Sequence, residues 1–136
     1  MTTTELPPRV EGTLPVTDAA TAAALISDEA TVAVSGFGSV GYPKAVPSAL
    51  ATAAAAERSL ALTVVSGGSV GAELDTELIE AGAVARRYPY QATDAARAAA
   101  NERRIAFADR GIAGMSDEVR FGRLDDRHVG IDETAE

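Results

Sequence analysis

The chain has 136 residues, no cysteine, His128 as its only histidine and Lys44 as its only lysine, and 20 acidic against 12 basic residues give a formal net charge of −8. One domain with a buried core fits that length, while the missing cysteines exclude disulfides, thiolate metal sites and a cysteine nucleophile. A single histidine cannot build a triad or a His-based metal site within one chain, and the acidic balance excludes non-specific nucleic-acid binding, which needs basic surface to displace counterions.

Residues 1–16 carry Pro7, Pro8, Gly12 and Pro15 and are expected to form an extended arm. They lack the basic-then-apolar order of a signal peptide. No apolar run in the chain approaches the roughly 18–20 residues that span a bilayer, so a cytoplasmic protein without a membrane partner is expected. The acidic, lysine-poor, Ala- and Val-rich composition suits either a high-salt cytosol or a GC-rich genome.

From Thr17, a threonine cap, an aspartate in the first turn and good helix formers predict a helix to about Ser27. Ala30–Ser35 is short, β-branched and followed at once by glycine, which predicts a buried strand. The loop Gly36-Phe37-Gly38-Ser39-Val40-Gly41 leads into Tyr42-Pro43-Lys44, and Pro47 suits the first turn of a helix to about Ala56. Leu60–Ser66 reads as a second strand that also runs into glycines, Gly67-Gly68-Ser69-Val70-Gly71. An acidic helix is expected over Glu73–Ala81 with Gly82 as its stop. Its Glu73, Asp75, Glu77 and Glu80 read more readily as solvated carboxylates complementing the helix dipole than as acid/base catalysts. Thr93 caps a helix from Asp94 to about Arg103, which leads into a third strand, Arg104–Asp109. A short helix over Ser116–Phe121 and a fourth strand over His128–Ile131 complete the pattern, and 132–136 form an acidic tail.

Strands alternating with helices predict an α/β fold with an open, mostly parallel sheet and flanking helices over residues 17–131. In such sheets, ligands lie beyond the carboxyl ends of the strands. The glycine loops would share that edge, where bare backbone N–H groups suit an anionic or thioester ligand. Gly36–Gly41 matches the G-x-G-x-x-G dinucleotide template, but Pro43 and Pro47 delay the helix and the second strand lacks a terminal acid, so that reading is set aside. Tight strand-to-helix turns are the structural alternative for one such loop; two alike point to a cleft. Lys44 adds a cation beside it. Arg86-Arg87-Tyr88-Pro89-Tyr90-Gln91 sets two guanidinium groups next to two tyrosines, a cluster suited to phosphate or carboxylate, or to pinning one domain to another.

Three blocks, Ser35–Pro47, Ser66–Asp75 and Ala81–Gln91, together resemble the amino-terminal domain of the acetyl-CoA hydrolase/transferase family, the CoA-transferase branch that includes succinyl-CoA:acetate transferases. The resemblance implies a CoA-transferase-like amino-terminal half with acyl-CoA lying between two similar halves. A coenzyme A thioester would be substrate rather than a permanently bound cofactor, and a small carboxylate the other partner. The family's nucleophile is a glutamate of the carboxy-terminal half, which forms an acyl-glutamyl anhydride and then a glutamyl-CoA thioester. This chain stops short of it, so a partner chain carrying that half is expected, with the chain alone inactive. The substrate-contacting residues implied are Gly36, Phe37, Gly38, Gly41, Tyr42, Pro43, Lys44, Gly67, Gly68, Ser69, Gly71, Arg86, Arg87, Tyr88, Tyr90 and Gln91, with no catalytic or metal-binding residue. A small acyl-CoA-binding module, or a truncated remnant without catalysis, is the alternative.

Overall fold

A computed structural model describes residues 16–36, 41–66, 71, 73–88 and 93–107, with 114, 117, 120 and 131 as isolated positions. Residues 1–15 of the arm expected over 1–16, the helix over 116–121, the strand over 128–131 and the tail over 132–136 lie outside these residues, apart from such single positions.

Helix α1 (Ala19–Ala24) starts one residue later than expected, because Asp18 rather than Thr17 is the cap. Its Oδ1 accepts the Thr21 backbone N–H at 2.8 Å, and these bonds hold its carboxyl below the usual range. Strand β1 (Thr31–Val34) follows. Helix α2 (Ala45–Ala55) begins before Pro47, which still falls in the first turn, where its missing N–H is harmless. The Arg58 guanidinium donates to the carbonyls of Ala23 and Ile26 and so ties the end of α2 to α1.

Strand β2 (Leu62–Ser66) is followed by a π-helical turn (Glu73–Glu77) that passes into the short helix α3 (Leu78–Glu80). Gly82 ends that helix at φ 72°, with the Gly82 and Ala83 N–H groups returning to the Ile79 and Leu78 carbonyls. Strand β3 (Val84–Tyr88) was not expected, so the strand expected third is in fact β4 (Ala106–Phe107). Between them, helix α4 (Asp94–Asn101) is capped as expected by Thr93, whose Oγ1 accepts the Ala96 N–H at 3.2 Å.

The four strands are all parallel and lie in the order β1-β2-β3-β4. Right-handed crossovers that always step the same way place every connecting helix on the same face. The packing agrees. Helix α1 contacts α2, α2 contacts the π turn and α3, and α4 contacts both of the latter, which makes one helical layer. The core between helices and sheet is built from Leu50, Leu62, Val64, Leu74 and Leu78, with alanines 22, 23, 96 and 99 letting the helices approach closely.

Register explains why β3 is hard to read. Leu62 pairs with Val84 but Thr63 pairs with Arg86, so Ala85 is an extra, bulged residue. The bulge breaks the alternation: Val84 and Arg87 are buried while Ala85 and Arg86 are exposed. Without it, Arg86 would face the helices and Arg87 would face away.

Candidate functional site

Tyr42 is the hub at the carboxyl edge of the sheet. It is buried at 7% exposure in a socket made by the ends of two strands. A Cβ at Gly71 would stand 1.8 Å from the Tyr42 hydroxyl, and one at Gly36 would stand 2.6 Å from the Tyr42 Cβ. Gly36 also sits at φ +129°, which side-chain-bearing residues avoid. These two glycines therefore make room for a tyrosine, a use distinct from presenting N–H groups to an anion.

The Tyr42 hydroxyl donates to Glu73 Oε2 at 2.5 Å. That bond, then burial and the carboxylates of Glu73 and Glu77, push the phenol up to about 12. The same bond, the Glu73 backbone N–H and the nearby Lys44 lower the Glu73 carboxyl. Lys44 Nζ lies 4.2 Å from the centroid of the Tyr42 ring, over its face, where the π quadrupole attracts a cation. Pro43 is half-buried, and Gly41 and Lys44 are exposed.

Next to this cluster lies a buried ion pair. Arg87 and Asp75 are each 1% exposed, with Arg87 Nε 2.7 Å from Asp75 Oδ1. The remaining guanidinium donors reach Ser66 Oγ at 2.7 Å, Asp75 Oδ2 at 3.4 Å and the Tyr88 carbonyl. Arg87 thus ties the last residue of β2 to the π turn and to its own strand. Ser48 on α2 donates to Glu77 Oε2 at 2.7 Å. The expectation of a solvated acidic helix is corrected here: Glu73, Asp75 and Glu77 each hold a different element, and Glu80 alone is exposed. A π turn widens the ring closed by each backbone bond and interrupts the α-helical spacing of side chains, and such turns recur at functional sites.

Of the residues expected at the site, the structure gathers Gly36, Gly41, Tyr42, Pro43, Lys44 and Gly71 around the ends of β1 and β2. Arg87 stands behind them, bound to Asp75. Arg86 is exposed on the sheet face away from the helices, and half-buried Tyr88 pairs in register with Val65. Phe37, Gly38, Gly67, Gly68, Ser69, Tyr90 and Gln91 lie outside the described residues. Glu73 and Asp75 are the functional-looking residues that charge patterning passed over. The one available signal was their position directly after a glycine loop at a strand end. Among the described residues no cluster of three or more His, Asp or Glu could hold a metal ion, and no helix is long and apolar enough to cross a membrane.

A family model described as the acetyl-CoA hydrolase/transferase N-terminal domain matches residues 13–135. The chain belongs to this family. It is 35% identical over 117 residues to a succinyl-CoA:acetate CoA-transferase of Clostridium kluyveri, covering 85% of this chain and 22% of that protein. A propanoyl-CoA:succinate CoA transferase of Escherichia coli is 32% identical over 118 residues, covering 84% of this chain and 24% of that one. Among solved structures, an acyl-CoA transferase apoenzyme from Escherichia coli O157:H7 superposes with a TM-score of 0.63 at 25% identity, over 74% of this chain and 21% of that one. The chain therefore spans less than a quarter of the length of these proteins, and its α/β fold with a parallel sheet is shared with the solved acyl-CoA transferase.

Proposed function

We propose that this domain forms one wall of an acyl-CoA and carboxylate cleft in an acetyl-CoA hydrolase or acyl-CoA:carboxylate CoA-transferase, and that the nucleophilic glutamate comes from the rest of the enzyme. The observation that carries this reading is the convergence of the ends of β1 and β2, the start of α2 and the π turn on one edge, locked by the bond from Tyr42 to Glu73. In this reading the loops Gly36-Phe37-Gly38 and Gly67-Gly68-Ser69 face the ligand. Gly41, Tyr42, Pro43 and Gly71 shape that surface, and Lys44 offers a cation to a carboxylate or phosphate. Arg87 acts at one remove by holding Ser66, the residue before the second loop. Arg86, Tyr88, Tyr90 and Gln91 extend the surface along β3 and beyond it. The coenzyme A thioester is a substrate, so no permanently bound cofactor is invoked.

Calorimetric titration with CoA and acetyl-CoA tests the binding role, and a transfer assay with acetyl-CoA and a carboxylate acceptor tests the catalytic one. Micromolar binding without turnover is expected, with turnover appearing only when the carboxy-terminal part of a CoA-transferase is supplied. Turnover by the 136-residue chain alone would refute the assignment of the nucleophile. Loss of all CoA binding would leave a remnant of the fold without its ligand site.

A further inference from the structure

The family resemblance places Tyr42 among the residues that contact substrate, yet its side chain is buried and its hydroxyl is already bonded to Glu73. What Tyr42 touches is the frame of the site. Its backbone and Cβ pack on Gly36, just beyond β1, and the hydroxyl end of its ring packs on Gly71. Glu73, its hydrogen-bond partner, opens the π turn. The first glycine loop leaves the described chain at Gly36 and returns at Gly41, and the second leaves at Ser66 and returns at Gly71. One side chain therefore stands at both ends of the first loop and at the far end of the second. The remaining end, Ser66, is held by Arg87, whose guanidinium is bound to Asp75 of the same π turn. Glu73 anchors one loop through Tyr42, and Asp75 anchors the other through Arg87.

We propose that Tyr42 and Glu73 are positioning residues, whose hydrogen bond holds the ends of β1 and β2 at the spacing an acyl-CoA requires, and that the Tyr42 hydroxyl is not itself a ligand contact. The proposal rests on the reading of this edge as one wall of an acyl-CoA cleft. A phenol that donates to a carboxylate makes a charge-assisted bond, stronger than one between neutral groups. Without it the ring still fills its socket, but the π turn is released from the first loop and the edge samples several spacings. Only the binding-competent fraction then takes the ligand, and the apparent Kd rises as the inverse of that fraction. Lys44 is carried with the same ring, since its Nζ lies over the face.

The test is calorimetric titration of the 136-residue chain with acetyl-CoA, with a urea midpoint measured for every variant. Tyr42→Phe and Glu73→Ala should each weaken binding by about tenfold, as the competent fraction falls to about one tenth. The double variant should bind no more weakly than either single one, because all three lack the same bond. Glu73→Gln keeps a carbonyl that accepts the hydroxyl and should stay within about threefold of the parent. Arg58→Met removes the guanidinium that ties α2 to α1, between the end of α2 and the start of β2. It should lower the urea midpoint and leave acetyl-CoA affinity unchanged, which separates positioning from stability. If Tyr42→Phe does not fold, the contrast between Glu73→Ala and Glu73→Gln decides alone. Parent-like binding by Tyr42→Phe or by Glu73→Ala overturns the proposal and leaves the acyl-CoA wall standing. Single losses that multiply in the double variant also overturn it, because the two side chains would then meet the ligand independently. A parent chain that does not bind acetyl-CoA overturns the wall and the proposal together.

Discussion

Removing one side of the buried pair between Arg87 and Asp75 should nearly unfold the domain, whereas removing both sides should not. Each residue is 1% exposed, so Arg87→Met leaves a carboxylate, and Asp75→Leu a guanidinium, without its opposite charge inside the protein. Such single losses cost about 3–5 kcal/mol. A domain of this size has roughly 5–15 kcal/mol in total, and an alanine-rich core places this one toward the lower end. With a urea slope of roughly 1.5 kcal/mol/M, the midpoint should fall by about 2–3 M in either single variant. The double variant Asp75→Leu/Arg87→Met restores apolar volume and leaves the Ser66 hydroxyl and the Tyr88 carbonyl without their guanidinium donor. It should therefore lie within about 2 kcal/mol of the parent, at about 1 kcal/mol for each lost hydrogen bond. Urea unfolding followed by circular dichroism measures all four proteins. Single variants that lose under about 1 kcal/mol, or a double-mutant coupling below about 0.5 kcal/mol, would refute the reasoning, because the pair would then be solvated in solution.

The bond from Tyr42 to Glu73 predicts pH dependence at both ends of the scale. The Glu73 carboxyl is lowered, so its stabilisation is present above the ordinary carboxylate range and is lost as pH falls through the folded value; Tyr42 is raised to about 12, so its contribution is complete below pH 10 and is lost as pH rises toward 12. Tyr42→Phe should cost about 1–2 kcal/mol near neutral pH and flatten both limbs of a urea-midpoint profile; a Phe variant that keeps the alkaline limb would dissociate that limb from Tyr42. Gly71→Ala should cost about 1–3 kcal/mol through its clash with the tyrosine ring, and nearly nothing in a Tyr42→Ala background. Gly36→Ala should stay costly in both backgrounds because its φ of +129° strains any side-chain-bearing residue, and equal behaviour at the two glycines would contradict the socket. Thr93→Ala should lose about 1 kcal/mol with the α4 cap, measured as a drop in thermal midpoint, and an unchanged midpoint would show that the cap is idle.

Strands β1 and β2 were legible because β-branched runs end abruptly in glycine, and α4 because Thr93 and Asp94 announce its start. Strand β3 was not. Its bulge at Ala85 sets two consecutive residues outward, so Val-Ala-Arg-Arg-Tyr follows neither a strand nor a helix period. The same bulge decides which arginine enters the protein, something composition cannot express. The resemblance implies Tyr42 at the site, yet the reason for glycine at position 71 depends on a contact with Tyr42 across 29 residues that only the fold creates. The acidic helix misled for a related reason. Acidic residues at a helix start suit its dipole whether they are solvated or not, and only the neighbouring strands and α2 determine that Asp75 is buried against Arg87 and that Glu73 and Glu77 are engaged.

The strand order also limits what the carboxyl edge can do by itself. In doubly wound sheets the ligand crevice opens where the order reverses, because two neighbouring loops then leave for opposite faces. Among the described strands the order β1-β2-β3-β4 contains no reversal, and the helices that connect them pack in one layer. Tyr42 packs against Gly36 and Gly71 at that edge, with its hydroxyl on Glu73. If the proposed acyl-CoA cleft is right, so long a substrate needs a second wall to exclude water from its thioester, and that wall would have to come from outside the described residues.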